Sequence, residues 1–87
     1  MWLLSQQIWR KDALMDTARL LEYLARAEAN VRKAKDRVRR QGERVKRLAA
    51  DGCETKIAEA QLLDSENLQT IMEKNRDIFL QLLYGNS

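Results

Sequence analysis

Apolar residues recur every seven positions along the first half of the chain. One row consists of Leu24, Val31, Val38 and Val45, and a second row follows it by three residues: Ala27, Ala34, Gln41 and Leu48. These spacings match the a and d positions of a coiled coil, with mostly β-branched residues at a. The pattern predicts one long helix over residues 12–50, in which Gln41 is a polar residue in an otherwise apolar seam.

The second half of the chain has two neighbouring apolar rows at helical spacing. The first row contains Ile57, Leu68, Ile71, Ile78 and Leu82, and the other contains Ala58, Leu62, Met72, Phe79 and Leu83. Gln61, Asp64 and Ser65 interrupt this surface near its start, and from Leu68 onward the two rows merge. The pattern predicts a helix over residues 55–84, with an apolar face broader than one partner helix covers.

The segment ADGCET, residues 50–55, separates the two patterns. Gly52 suits the left-handed position just past a helix end, and Glu54 or Thr55 can cap the next helix. With no proline and only three glycines in 87 residues, nothing else interrupts the helices. The expected fold is all-α: an antiparallel two-helix hairpin of coiled-coil type, residues 12–87, with a turn at 51–54.

Folding the chain about Gly52 places residue i opposite residue 104 − i and gathers the aromatic residues at the open end. Residues before about 18 then extend past the second helix. The opening segment, residues 1–11, is apolar, but it is too short to span a bilayer. Its basic residues follow the apolar stretch, whereas a secretory signal has them first. We therefore expect an interface segment.

A hairpin this small buries little apolar surface, so we expect two copies to pair into a helical bundle. Each copy would lay its opening segment on the 68–84 face of the other. The expected self-association residues are Trp2, Leu4, Ile8, Trp9, Leu21, Leu68, Met72, Phe79 and Leu83. A ligand pocket at the aromatic end is the alternative, although few polar groups converge there.

Charge is divided between the two halves. Residues 26–47 carry a net charge of +7 and residues 48–87 carry −4, which favours pairing of the two helices with each other. The basic helix could instead contact a polyanion such as nucleic acid. The candidate contacts are Arg32, Arg37, Arg39, Arg40, Arg44 and Arg47. An acidic protein or a membrane surface is a further alternative.

The residue types argue against catalysis. Histidine is absent, one cysteine cannot make a zinc site, and no glycine-rich phosphate loop is present. Glu59, Glu66 and Glu73 share a helix face, which we interpret as a solvated or salt-bridging face. Cys53 is interpreted as an unreactive turn residue, and a fold without disulfides suits the cytoplasm. We expect a non-enzymatic protein without a metal or cofactor, which acts through protein–protein contacts.

Residues 26–83 resemble a family of small, uncharacterised helical proteins of rhizobia and related alphaproteobacteria. The matching positions are Val31, Val38, Gln41, Val45, Leu48, Gly52, Glu54-Thr55, Leu62-Leu63, Met72, Arg76 and Leu83. Valines replace the usual isoleucines, Cys53 stands where a histidine is frequent, and the opening segment lies outside the family pattern. The resemblance implies a helical hairpin and no particular activity.

Overall fold

The protein consists of two helices joined by one turn. The computed structural model describes the backbone of residues 2–85 and the side chains of residues 17–85. Helices α1 (Trp2–Ala50) and α2 (Lys56–Tyr84) pack against each other as an antiparallel hairpin, which confirms the predicted fold class. α1 begins well before residue 12, where its predicted start lay. No proline or glycine precedes that position to end a helix there.

Gly52 ends α1 in the conformation that its sequence context predicts. Its φ is 72°, in the left-handed region. The Cys53 N–H donates to the Leu48 carbonyl at 2.9 Å, and the Gly52 N–H donates to the Ala49 carbonyl at 3.1 Å. These two bonds form a Schellman motif, which satisfies carbonyls left without partners at the helix end.

Glu54 caps the first turn of α2. One carboxylate oxygen, Oε1, accepts hydrogen bonds from the backbone N–H groups of Thr55 and Lys56, each at 3.1 Å. The Thr55 side chain makes no capping bond. Of the two predicted capping residues, Glu54 therefore supplies the acceptor, and its negative charge also suits the positive end of the helix dipole.

The predicted a and d rows of α1 form the seam of the hairpin. Leu24, Ala27, Val31 and Ala34 are buried. Toward the turn, the same rows are only half-buried at Val38, Gln41, Val45 and Leu48. The core is therefore thin, and alanines supply much of it.

α2 packs through the second of its two apolar rows. Ala58 and Ser65 are buried in it, whereas Leu62, Met72, Phe79 and Leu83 are half-buried. Ser65 was expected to interrupt the apolar surface. Its hydroxyl donates to the Gln61 carbonyl at 2.9 Å, which satisfies the group within the seam.

Small and large residues alternate across the seam. The predicted register places Phe79 of α2 near Ala25, so the small buried Ala27 and Ala34 of α1 lie within one helical turn of the positions opposite the large Phe79 and Met72. Near the turn the order is reversed, with the small Ser65 of α2 opposite Val38. Two observed pairs support this register: Tyr23 contacts Phe79, and Arg44 contacts Gln61. Their residue numbers add to 102 and 105, close to the predicted 104.

Candidate interaction surfaces

An apolar strip on α2 faces away from the seam. We define the outer strip as Leu68, Ile71, Ile78 and Leu82, which belong to the first apolar row. Leu68 is half-buried, whereas Ile71, Ile78 and Leu82 are 57%, 56% and 54% exposed. A shallow groove runs along its last part between Lys74 and Leu82. Large aliphatic side chains at this exposure are candidates for contact with another molecule.

The open end gathers the aromatic side chains that the structure describes. The Tyr23 and Phe79 rings lie 5.8 Å apart between centroids, tilted by 38°, and this distance suits a favourable ring pair. Tyr84 is 64% exposed and Leu21 is 47% exposed. This end therefore combines an aromatic pair with uncovered apolar residues.

The predicted self-association residues fall into three groups. Trp2, Leu4, Ile8 and Trp9 lie outside the described side chains. Leu21 is exposed, whereas Leu68, Met72, Phe79 and Leu83 are half-buried. Of these, Met72, Phe79 and Leu83 belong to the row that contains the buried Ala58 and Ser65, so they contribute to the seam of the hairpin. Ile71, Ile78 and Leu82 were absent from the predicted set, although the sequence row that contains them was recognised.

α1 extends beyond α2 at the open end. In the observed register the last residue of α2, Tyr84, lies near Leu20. The backbone of residues 2–19 therefore continues for about 27 Å as a helix without a counterpart in α2. The sequence predicts this overhang, and the helix bounds confirm it.

Four of the six predicted polyanion contacts line one groove. Arg37, Arg40, Arg44 and Arg47 border a groove of about 570 Å³ near the turn, together with Gln41, Glu43, Leu48 and Asp51. We refer to it as the arginine groove. Arg32 and Arg39 do not line it. The predicted basic residues thus divide into a clustered set and a dispersed set.

Two heptad rows account for this clustering: Arg37 and Arg44 each come one position before an a residue, whereas Arg40 and Arg47 belong to a row two positions after a. Every residue two positions after an a position is basic: Arg26, Lys33, Arg40 and Arg47, with Arg19 one heptad earlier. All five are exposed. This basic edge lies on the same side of the hairpin as the outer strip, because a smaller groove has both Lys33 and Leu68 in its walls.

The ion pairs form within single helices. Arg39 binds Asp36 at 2.6 Å and Glu43 at 3.2 Å, and Arg40 binds Asp36 at 3.1 Å. The hydrogen bond from Arg39 and the positive charges of Arg40 and Arg39 lower the pKa of Asp36. The same hydrogen bond raises the pKa of Arg39.

The expected charge pairing between the two helices is not observed in the described part of the chain. The polar contact that joins them is a hydrogen bond from Arg44 Nη1 to Gln61 Oε1 at 3.3 Å. Arg37 and Arg47 make no ion pair with any described side chain. Among the described residues, the acidic helix therefore makes no ion pair with the arginine groove, whose walls contain the carboxylates of Glu43 and Asp51.

Gln41 is the polar residue that the heptad pattern places in the seam. Its Oε1 atom is buried and has no hydrogen-bond donor among the described residues. An unsatisfied buried acceptor costs about 1–3 kcal/mol. Gln41 thus weakens the hairpin locally, in the wall of the arginine groove.

The remaining candidate groups stay apart. Cys53 lies in the turn and is exposed, as its position predicts. No group of three or more Cys, Asp or Glu residues in the described region is placed to hold a metal ion. Neither helix, over the residues described, has a stretch long and apolar enough to cross a bilayer.

Comparisons of the chain with protein-family models, with curated proteins and with solved structures find no match. The resemblance to the alphaproteobacterial family thus stays a prediction.

Proposed function

We propose that this protein is a non-enzymatic interaction module that pairs with a second copy of itself through the open end of the hairpin. The observation that carries the proposal is the outer strip, which leaves three large aliphatic side chains more than half exposed. It lies at the same end as the overhang of α1, whose sequence is rich in apolar residues. The exposed side chains of the outer strip are not covered by the described residues of their own chain.

The total exposed area supports a second copy as the occupant. The chain exposes 7277 Å², whereas a compact monomer of 10.2 kDa exposes about 5300 Å². The excess is roughly 2000 Å², and stable obligate dimers bury about 1000–2500 Å² per subunit. The radius of gyration is 20.5 Å, against about 12 Å for a compact domain of this length. One partner hairpin could cover this excess.

In the proposed dimer, the overhang of each subunit lies on the outer strip of the other. This arrangement uses the same two patches twice, as a two-fold interface requires. Each outer strip then lies in a three-helix bundle, which consists of both helices of one subunit and the overhang of the other, and both turns are left at the outside. We place the protein in the cytoplasm, because its only cysteine, Cys53, forms no internal disulfide.

Sedimentation equilibrium at tens of micromolar tests the proposal. The wild-type chain should have the mass of a dimer, and the double variant Ile71→Gln/Ile78→Gln should shift it toward monomer. Leu63→Gln is the matched control, because Leu63 is 58% exposed, close to the 57% of Ile71, but lies outside the outer strip. A strictly monomeric wild type refutes the dimer, and an equal loss of mass in the control refutes the interface.

A variant that lacks residues 1–11 tests the role of the overhang. We expect it to lose the dimer or part of its thermal stability, because the outer strip of each subunit would lose the helix that covers it. Circular dichroism and light scattering measure the two effects. Unchanged mass and unchanged melting would show that the overhang takes no part in association.

A further inference from the structure

We infer that the arginine groove binds the phosphodiester backbone of a nucleic-acid duplex. This inference concerns the arginine groove at the turn end of the hairpin, whereas the exposed residues of the outer strip lie toward the open end. The groove walls contain four guanidinium groups and two carboxylates, from Glu43 and Asp51. A guanidinium can bind two phosphate oxygens at once through its planar fork of N–H donors.

The guanidinium groups are available to a ligand. Arg37, Arg44 and Arg47 make no ion pair with the side chains described, and Arg44 donates a hydrogen bond to the neutral Gln61. Arg40 shares Asp36 with Arg39. A phosphate that enters the groove can therefore bind Arg37, Arg44 and Arg47 without first displacing a described carboxylate from them.

The positive charge also continues beyond the groove along the basic edge. Its members, from Arg19 to Arg47, are seven residues apart, which is about 10.5 Å of helix per step. The row has a total length of about 42 Å and includes no acidic residue. Toward the open end this row borders the outer strip, so the phosphate contacts are assigned to the arginine groove, and the rest of the row adds a positive potential that attracts a polyanion.

The surroundings of the groove favour a duplex over the other acidic ligands. An acidic amphipathic helix needs an apolar seam, and Leu48 is the one large apolar residue in the groove walls. A single strand is held largely by stacking on aromatic side chains. The described aromatic residues Tyr23, Phe79 and Tyr84 lie at the opposite end of the hairpin. A duplex needs neither feature for contacts to its backbone.

Fluorescence anisotropy of a labelled 20-base-pair DNA duplex measures this binding. If the four arginines each neutralise one phosphate, log K falls with log salt at a slope of about −3.6. Affinity should then drop on the order of 150-fold between 50 and 200 mM salt. Absence of binding at 50 mM salt overturns the inference, and so does tighter binding of single-stranded DNA or of poly-glutamate than of the duplex.

Two double variants of equal net charge locate the site. Arg37→Gln/Arg47→Gln removes two groove residues and should make the slope about 1.8 less steep. Arg32→Gln/Lys46→Gln removes two cationic side chains that lie outside the groove and make no ion pair with a described residue, so its slope should match that of the wild type. If the two double variants changed the salt slope equally, the duplex would be binding to the overall charge of the protein, and the assignment to the arginine groove would be overturned.

The measurement is independent of the proposed dimer. Ile71→Gln/Ile78→Gln alters the outer strip without removing a charge, so it should keep the salt slope for each chain. Loss of the dimer with duplex binding retained contradicts neither proposal. Loss of duplex binding in this variant would place the nucleic-acid contact at the open end and overturn the assignment to the arginine groove.

Discussion

Replacing glycine by alanine should have opposite effects at Gly42 and Gly52. A Cβ atom would meet nothing within 4 Å at either position, so new contacts do not distinguish them. The backbone does. Gly42 lies inside α1, whereas Gly52 has a φ of 72°.

The magnitudes follow from these two conformations. In a helix interior, alanine is about 1 kcal/mol more favourable than glycine, so Gly42→Ala should stabilise the hairpin by about that amount. At Gly52, the left-handed conformation costs an L-residue about 1–2 kcal/mol. Alanine recovers about 0.4–1 kcal/mol by restricting the unfolded chain. The net expectation for Gly52→Ala is a loss of about 1 kcal/mol.

Thermal unfolding followed by circular dichroism at one fixed protein concentration measures both changes. For a domain of this size, 1 kcal/mol moves Tm by about 4–8 °C. Gly42→Ala should raise Tm and Gly52→Ala should lower it by similar amounts, so the double variant should melt close to the wild type. Asparagine tolerates the left-handed conformation, and Gly52→Asn should therefore cost less than Gly52→Ala.

The result that would refute this reasoning is a shift of the same sign for both alanine variants. It would mean that φ at Gly52 does not decide the effect. If Gly52→Asn lowered Tm as much as Gly52→Ala, glycine would be required at this position for a reason other than its left-handed backbone conformation.

Three further predictions concern the cap, the seam and the exposed charges. Glu54→Ala should lower the free energy of unfolding by about 1 kcal/mol, because two backbone N–H groups lose their acceptor; Thr55→Ala is the control, since that side chain caps nothing. Ala27→Leu should cost about 1–3 kcal/mol by overpacking a site that is 2% exposed, whereas the exposed Ala25→Leu should stay within about 0.5 kcal/mol in urea unfolding. The folded-state pKa of Asp36 lies below its unfolded value, so the ionised Asp36 carboxylate stabilises the fold above about pH 4, and this stabilisation is lost as pH falls through the folded pKa. Asp36→Asn should remove this part of the fall of Tm with decreasing pH. The same fall of Tm at acid pH in the variant and the wild type would contradict the assignment to Asp36.

The fold of α1 could be predicted because its heptad rows are regular and the turn has its own signal. Leu24 and Val31 recur at the spacing that one helix face requires, and Gly52 is the only glycine next to a break in the pattern. The start of α1 could not be predicted in this way. Asp12 is a residue type that caps helices, but no proline or glycine separates it from residues 1–11, and the helical backbone continues back to Trp2.

The sequence could not decide which row of α2 enters the seam. Both rows are apolar, and the exposed one contains the larger aliphatic residues, including Ile71 and Ile78. The choice depends on volume across the seam, since the small Ala58 and Ser65 lie opposite larger residues of α1. Which side-chain volumes lie opposite each other depends on how the two helices pair, and the pattern of either helix alone does not contain it.

Charge was the least predictable feature. Opposite net charges on the two helices suggested ion pairs between them, but acidic residues of α1 lie three or four positions from its own arginines. Asp36 and Glu43 therefore bind Arg39 within the helix. The arginine groove could have been found from sequence, because its four arginines follow the same heptad as the seam: Arg37 and Arg44 come one position before an a residue, and Arg40 and Arg47 two positions after one.

The single short turn also determines the order in which the hairpin can form. Arg44 and Gln61 are 17 residues apart in the chain, whereas Tyr23 and Phe79 are 56 residues apart. Closing the longer loop costs about 1 kcal/mol more in chain entropy. Folding should thus start at the turn and proceed toward the open end, where the helices separate most readily. Amide exchange should be fastest at that end in dilute protein and should slow there first as the concentration rises.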